Sequence, residues 1–237
     1  MTGANHLSNG GNNLLSLLQI SNSAFPTGAF THSYGFETWI DGRVVDDAAE
    51  AMKRCRQWLR FGIATGDGVA VAIAFRKMLY DDMRGLAALN ELVDALKLSR
   101  ETREASKQTG AALLSACHDI FELPETDRLY SLSDDESVRL HHAVVYGVVA
   151  AGLGSTEGEA VETFLWGGLS NLASVIGRLV PLGQVDVQRI IATSAPLIEE
   201  CAEIARSRDE TDMCSLFASL DAASMRHERL PTRLCIS

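Results

Sequence analysis

Apolar side chains recur at helical spacing along almost the whole chain, and this periodicity limits the fold more than any other feature. From Leu140 onward, apolar and small residues follow the i, i+4, i+7, i+8, i+11 pattern of one helix face. Further series with the same spacing run through 161–179, 187–204 and 213–220. Glycine, proline or polar stretches separate these series. The sequence therefore predicts an all-α fold, a single-domain bundle of roughly eight to ten helices.

The first half of the chain shows the same pattern less clearly. Residues 46–80 form either two helices or one bent helix, because three glycines interrupt the helix-forming residues. The segments 85–99 and 100–121 are two further helix candidates. Residues 69–74 have the composition of a strand, but their flanks are helical and no partner strand is evident. Pro196 lies inside a helical pattern, where it either kinks that helix or starts a new one.

The chain is acidic and a poor general partner for nucleic acid or an anionic membrane. Its 237 residues carry a formal net charge of −10, and the sequence pI is about 5.0. Residues 224–237 depart from this balance, because Arg226, Arg229 and Arg233 stand against Glu228, a local charge of +2. Such a tail can dock on an acidic partner, or its cations can stabilise the dipole of a helix end.

Membrane, export and disulfide signals are not apparent in the sequence. No window approaches the roughly 18 apolar residues of a membrane span. Residues 1–13 are polar and rich in Asn, Gly and Ser, which is unlike a signal peptide, and we expect them to be disordered. The five cysteines are widely spaced and lack a C-x-x-C pair, which argues against a disulfide framework or a zinc site. A reduced, cytoplasmic protein is the simplest interpretation.

Catalytic and nucleotide-binding motifs are also missing. His32 and Ser33 are adjacent, but no G-x-S-x-G turn follows a predicted strand, and a helical chain lacks the elbow that such a serine needs. Neither G-x-x-x-x-G-K-[ST] nor G-x-G-x-x-G occurs, so no phosphate-binding loop is predicted. We therefore predict that the chain is not an enzyme and needs no cofactor.

The six histidines do not form a metal-binding pattern within one helix. Ligands on a helix share a face at spacing i, i+3 or i+4, whereas His141 and His142 are adjacent and about 100° apart around the axis. His141 is better explained as a core or capped histidine. No metal site is predicted within the chain, and a ligand set assembled across subunits stays open.

Two polar blocks near the termini are not explained by ordinary core packing. The first block spans residues 24–37, and within it residues 26–28 (Pro-Thr-Gly) are predicted to form a turn between two helices, with Gly28 at positive φ. After this turn, Phe30, Tyr34 and Glu37 recur at i, i+4 and i+7 on one helix face. They are either core residues or part of a binding surface.

The second block is residues 224–228 (Ser-Met-Arg-His-Glu) near the C-terminus. It combines one bulky apolar side chain with several polar ones. Arg226 is predicted either to pair with a carboxylate such as Glu37, joining the C-terminal helix to the N-terminal one, or to lie with Glu228 on a solvated face.

Four ordered segments of the chain resemble the urease accessory protein UreF family. They are residues 15–37, 142–148, 166–184 and 223–228, and they occur at about the family's spacing. Between about residues 41 and 97 little of the family pattern is recognisable. The chain departs from the family at Asn22-Ser23, where Ser-Pro is usual. It departs again after Glu228, where the usual Tyr-Ser-Arg-Leu-Phe is reduced to Arg233-Leu234.

The resemblance implies an all-helical urease maturation chaperone without catalytic residues. Such proteins bind a second accessory protein, UreD or UreH, through their terminal regions and recruit the UreG GTPase. The complex engages apo-urease and assists GTP-dependent insertion of nickel into its active site. The resemblance also implies a homodimer. Residues 14–223 are then expected to be the helical UreF-like domain and residues 224–237 a partner-binding tail, after a disordered segment 1–13.

The two blocks and the resemblance together predict a partner-binding surface and two structural turns. The predicted partner-binding residues are Phe30, His32, Ser33, Tyr34, Glu37, Met225, Arg226, His227, Glu228 and Arg233. The predicted turns contain Pro26 and Gly28, and Pro181 and Gly183. Two other functions stay open at this point: a helical adaptor unrelated to urease, and a small hydrolase that uses Ser33 with His32 or His227.

Overall fold

The computed structural model describes residues 13–133 and 139–236, and every regular element within them is helical. The helices are α1 Asn13–Ser21, α2 Phe36–Asp41, α3 Ala48–Leu79, α4 Met83–Leu96, α5 Arg100–Phe121, α6 Pro124–Ser133, α7 His142–Gly152, α8 Glu157–Leu179, α9 Gln184–Ala192, α10 Ala195–Arg206 and α11 Ala218–His227. The all-α prediction is confirmed. The described part of the chain has eleven helices, more than the predicted eight to ten, partly because the short helix α6 has no clear apolar series. The predicted disordered segment 1–13 lies outside the described residues except for Asn13, which begins α1.

The segment that was ambiguous between two helices and one is a single long helix, α3. Asp47 caps its N-terminus, with a side chain that accepts a hydrogen bond from the Glu50 amide at 2.8 Å. The helix then passes through a π-helical stretch at Leu59–Gly68. The stretch 69–74, with its strand-like composition, is helical. Burial explains why this segment is helical despite its composition, because all six of its side chains are core residues.

The expectation that no segment approaches the apolar length of a membrane span is wrong for α3. This helix contains an 18-residue window long and apolar enough to cross a membrane, with a mean hydropathy of 1.3. However, 72% of that window is buried inside the fold. Its apolar composition is therefore that of a central core helix.

The most extensive helix contact in the core is between α3 and α7. Residues 143–150 of α7 are buried throughout, and they pack against the C-terminal half of α3, Val69–Leu79. A Cβ atom on Gly147 would lie 2.5 Å from the carbonyl oxygen of Val71, so only glycine lets the two backbones approach this closely. Tyr146 then extends to the neighbouring helices, with its hydroxyl 2.6 Å from Ser21 Oγ and 2.9 Å from Thr163 Oγ1.

Helix α8 completes the core and begins with a capping box. Thr156 Oγ1 accepts a hydrogen bond from the Glu159 amide, and the Glu159 carboxylate accepts one from the Thr156 amide. Beyond α9, Pro196 lies in the first turn of α10, where its missing N–H costs nothing. The second of the two roles considered for Pro196 is thus the one observed.

Candidate functional site: the joined chain termini

The N-terminal block folds as predicted at its turn but not beyond it. Gly28 has a φ of 74°, and the chain then makes a 3-10 turn at Ala29–Thr31. The predicted helix face of Phe30, Tyr34 and Glu37 is wrong, because α2 begins only at Phe36 and Tyr34 itself has a φ of 53°. The three side chains consequently have different surroundings.

Phe30 reaches solvent, whereas Tyr34 and Glu37 turn inward. The Phe30 side chain is 48% exposed, and Glu37 is only 6% exposed. Tyr34 packs its ring 5.5 Å from that of Trp58 in α3, and burial together with the charge of Asp67 raises the pKa of its phenol. Tyr34 therefore packs the N-terminal block against α3, and Phe30 is the exposed apolar side chain of that block.

The two terminal blocks meet where α11 packs against α2. Gly35 approaches the backbone of Ser224, and the Thr38 hydroxyl donates a hydrogen bond of 2.9 Å to the carbonyl of Ala223. On its other side, the Ser224 hydroxyl lies 2.8 Å from that of Thr102 in α5. Residues almost 200 positions apart in the sequence thus form one structural unit.

His227 ties this unit together at its centre. Its imidazole is fully buried, with Nε2 2.9 Å from a carboxylate oxygen of Glu37 and Nδ1 2.6 Å from one of Glu101. Of the two arrangements predicted for Arg226, the pairing with Glu37 is wrong and the solvated position is observed. Arg226 is exposed and donates to the carbonyl of Ala222, one turn earlier in its own helix, because a helix of this orientation presents residue 227 to α2. The predicted contact between the two terminal helices exists, but His227 makes it instead of Arg226.

The last described residues return to the same two carboxylates. Residues 233–236 are here named the C-terminal strap, and the amides of residues 234–236 donate hydrogen bonds to the N-terminal block. The amides of Leu234 and Cys235 donate to Glu37 at 2.6 and 3.0 Å, and the Ile236 amide donates to the Thr31 carbonyl at 2.9 Å. The Arg233 guanidinium donates to Glu101 at 2.7 Å.

The Glu37 carboxylate accepts three hydrogen bonds in a nearly dry position. Burial alone would raise its pKa, but the hydrogen bonds from His227 and from the amides of Leu234 and Cys235 outweigh burial and lower the pKa below its usual value. By contrast, burial raises the pKa of the neighbouring Cys235 thiol to about 12, which keeps it protonated. Glu37 is thus the charged anchor of the strap.

The predicted partner-binding residues divide into exposed and buried groups. Phe30, Met225, Arg226 and Arg233 are exposed, and Glu228 is half-buried and paired with Arg100 at 2.9 Å. His32, Ser33, Glu37 and His227 are buried, and Tyr34 is half-buried. Sequence reasoning missed two exposed apolar groups of the strap, Leu234 and Ile236, which are 83% and 59% exposed. An apolar residue on either side of Cys235 in a polar tail was the signal that could have found them.

The arrangement does not resemble a hydrolase centre. Ser33 is fully buried, and its hydroxyl accepts a hydrogen bond of 3.4 Å from the Glu37 amide. Both ring nitrogens of His227 are engaged by carboxylates. Burial lowers the pKa of His32 to about 4, so this imidazole is neutral near pH 7.

The second predicted turn lies close to the first. Residues 180–183 join α8 to α9, and the Gly183 carbonyl accepts the amide of Asp186 at 2.9 Å. Gly183 has a φ of −68°, which any residue can adopt. At the end of α8, Arg178 donates a hydrogen bond of 2.6 Å to the Phe30 carbonyl. This contact holds the exposed end of the N-terminal block.

A cavity of about 150 Å³ lies beneath the N-terminal block. Aromatic and polar side chains line it, among them Tyr34, Trp58, His142, Tyr146 and Asn171. Burial lowers the pKa of His142 to about 4. Among the described residues, no three His, Cys, Asp or Glu side chains are grouped in a way that could hold a metal ion. His141, as predicted, is a core histidine, bonded to Asp94 at 3.1 Å and to Ser106 at 3.0 Å.

Comparison with known proteins identifies the family. The sequence model of the UreF family matches residues 45–195. The chain is 34% identical to the urease accessory protein UreF of Geobacillus kaustophilus, across 94% of this chain and 98% of that protein. The chain belongs to the UreF family. It is also 30% identical to UreF of Bacillus sp. strain TB-90 across 95% of this chain, and 28% identical to UreF of Lachnoclostridium phytofermentans across the same share.

Membership of the UreF family removes one of the functions that the sequence left open. The helical adaptor unrelated to urease is excluded, because relatives named as urease accessory proteins match nearly the full chain. The family segment 45–195 contains neither terminal block. It does contain residues 45–97, where the sequence showed little family pattern.

Proposed function

We propose that this UreF-family protein is a non-catalytic subunit of the accessory complex that matures urease. In this role it binds a UreD/UreH-type accessory protein, recruits or regulates the UreG GTPase, and engages apo-urease with them. The complex then assists GTP-dependent insertion of nickel into the urease active site. Nickel is cargo in this scheme, and this chain acts as a scaffold.

The joined termini are the observation that carries this proposal. Two blocks at opposite ends of the sequence are built into one unit around Glu37, and that unit leaves apolar groups in solvent at Phe30, Leu234 and Ile236. Burying an exposed large apolar side chain in an interface stabilises a complex by about 1.5–3 kcal/mol. We therefore propose that these three side chains form the apolar part of the docking surface for the UreD/UreH-type protein.

The charges around this surface indicate which charges the partner surface should carry. Arg226 and Arg229 are exposed, and neither makes an ion pair in the described part of the chain. On a chain of net charge −10, these cations are a local exception. The proposed partner surface is accordingly apolar with carboxylates at its rim, because carboxylates there complement these exposed cations.

The buried members of the predicted site act as supports in this proposal. Tyr34, His32 and Ser33 hold the N-terminal block, and Glu37 and His227 hold the strap, so their substitution weakens docking by displacing the exposed groups. Residues 14–223 are proposed to be one helical domain and residues 224–237 the partner-binding tail. A cytoplasmic homodimer without affinity for nucleic acid or membranes completes the proposal.

Size-exclusion chromatography with light scattering tests the scaffold role. The protein is run alone, with the UreD/UreH-type protein, with the UreG GTPase, and with both. We expect a stable complex with the first partner and uptake of the GTPase only when that partner is present. A folded protein that binds neither partner overturns the proposal.

A matched pair of variants tests the surface itself. Phe30→Ala combined with Leu234→Ala should weaken binding of the UreD/UreH-type protein at least tenfold, about 1.4 kcal/mol. Leu79→Ala is the control, because Leu79 is 64% exposed at the end of α3 and belongs to neither terminal block. Equal binding by both variants and the wild type places the docking surface elsewhere.

A further inference from the structure

Between two ionised carboxylates, the hydrogen bonds of His227 require more protons than a neutral imidazole carries. Both ring nitrogens face carboxylate oxygens, of Glu37 at 2.9 Å and of Glu101 at 2.6 Å. A neutral imidazole has one N–H and one lone pair, so it satisfies one carboxylate and repels the other. An imidazolium donates to both. Burial of the ring leaves no solvent to take the second bond.

The charges packed around the ring give the same answer. Helix α2 contributes Glu37, α5 contributes Glu101, and the strap contributes Arg233 and the protonated thiol of Cys235. Two carboxylates against one guanidinium leave one uncompensated negative charge in a buried position. The imidazolium cancels it.

The next charges outward already have partners of their own. At the edge of the cluster, Arg100 of α5 attracts Glu101 electrostatically, but its hydrogen bonds go to Glu228, which follows α11. On the side of the N-terminal block, Arg178 donates to the Phe30 carbonyl. Neither cation therefore replaces the proton on His227.

We propose that His227 is held as a doubly protonated imidazolium and that loss of this proton releases the C-terminal strap from its seat. The strap is bonded to the same carboxylates as the ring: Leu234 and Cys235 to Glu37, and Arg233 to Glu101. When the ring becomes neutral, one carboxylate loses its donor, and solvation of that carboxylate competes with its bonds to the strap. The strap is then a proton-dependent latch, seated at lower pH and released as the pH rises.

The effect of strap release on partner binding rests on the function proposed above. A seated strap fixes Leu234 and Ile236 beside Phe30, so docking to a preformed surface avoids the cost of ordering the tail. Release of the strap therefore weakens docking of the UreD/UreH-type protein without altering the helical core.

Nitrogen NMR of the full chain with labelled histidines tests the protonation state. The His227 signals are assigned by their loss in His227→Gln. We expect both ring nitrogens of His227 to show imidazolium shifts at pH 7, and hydrogen exchange to show protected amides at Leu234 and Cys235. As the pH is raised and the imidazolium is lost, the protection factors of both amides should fall at least about tenfold together. Protected amides beside a neutral ring overturn the proposal.

Two variants separate a proton-dependent latch from a merely structural histidine. In Glu101→Gln, the amide accepts from Arg233 and donates to a neutral imidazole, so the strap should stay protected at the pH where the wild type releases it. Unchanged pH dependence in this variant counts against the latch. His118→Gln is the control, because His118 lies at the end of α5 with Asp127 and contacts no strap residue; its strap should behave as in the wild type.

Partner binding is measured separately, by titrating the UreD/UreH-type protein at the two pH values. If the strap amides lose protection as the imidazolium is lost while affinity stays constant, the latch is upheld and the docking role of the strap is refuted. A strap that never releases refutes the latch and leaves the docking role standing.

Discussion

Gly35 faces the backbone of Ser224 so closely that a Cβ atom at position 35 would lie 2.7 Å from the Ser224 amide nitrogen. Gly35 also has a φ of 92°, a backbone conformation that residues other than glycine rarely adopt. This one residue therefore allows α11 to lie against the N-terminal block. The turn residue Gly28 has a positive φ as well, but a Cβ there would meet nothing within 4 Å. A substitution at Gly28 therefore tests backbone strain alone, whereas one at Gly35 tests strain together with close packing.

Gly35→Ala should detach α11 and loosen the strap, whereas Gly28→Ala should only strain the turn. We expect a loss of about 1 kcal/mol in unfolding free energy for Gly28→Ala and about 2–4 kcal/mol for Gly35→Ala, since the latter adds steric overlap to the strain. Urea denaturation measures both values. Equal losses would show that packing against Ser224 contributes nothing.

Stability should fall in acid through the Glu37 carboxylate. Because the folded state lowers the pKa of Glu37, its contribution is fully present above the unfolded value of about 4.3 and is lost as the pH falls through the folded value. Glu37→Gln should therefore be less stable than the wild type at pH 7, and the difference should shrink below about pH 4. Denaturant titrations at pH 3, 5 and 7 provide the comparison, and a difference that stays constant with pH would exclude this role.

The ion pair between Lys97 and Asp67 at the cavity should be costly to break from one side. Lys97 Nζ lies 2.8 Å from Asp67, and its side chain is only 12% exposed. Lys97→Met leaves a largely buried carboxylate without its cation, and we expect a loss of about 3 kcal/mol. The double variant Lys97→Met with Asp67→Leu should recover most of that loss. Thermal unfolding of the three proteins measures the coupling, and additive losses would contradict it.

The core contact at Gly147 should tolerate no side chain. In Gly147→Ala, the new Cβ would lie 2.5 Å from the Val71 carbonyl oxygen and 2.9 Å from Ala74 Cβ, so α7 must move away from α3. We expect a loss of about 2–3 kcal/mol, typical of overpacking in a close-packed core. Gly158→Ala in the first turn of α8 is a control with a nearest contact of 3.4 Å, to the Arg206 side chain. Circular dichroism during urea titration should find the control close to the wild type.

The two arginines of the tail should differ in what they stabilise. Arg233→Ala removes the donor to Glu101 and should reduce amide protection in the strap. Arg226→Ala removes an exposed side chain that donates only to its own helix, so stability should change by less than about 0.5 kcal/mol. If Arg226 contacts the partner as proposed, affinity should fall while the fold is unchanged. An Arg226→Ala protein that melts much earlier than the wild type would make this residue a structural one.

Sequence periodicity determined the helical class and most of the helix positions. The bounds of α5 were predicted correctly at 100 and 121, because helix spacing and polar flanks are local properties. The four family-like segments were also local patterns, and they identified the UreF family. Local patterns could not decide the length of α3, however, since its three glycines permit a break that tertiary burial prevents.

The identity of the residue that joins the termini was decided only by the tertiary structure. The sequence offered a contact between the C-terminal helix and the N-terminal one as only one of two alternatives, and it assigned that contact to Arg226. Neighbouring positions on a helix differ by about 100°, so the pattern could not show that His227 makes the contact instead. The orientation of α11 depends on the close approach of Gly35 and Ser224, a contact between distant parts of the chain. Packing turned His227 toward two carboxylates and left Arg226 in solvent, because a polar side chain is tolerated in a buried position only where hydrogen bonds satisfy it.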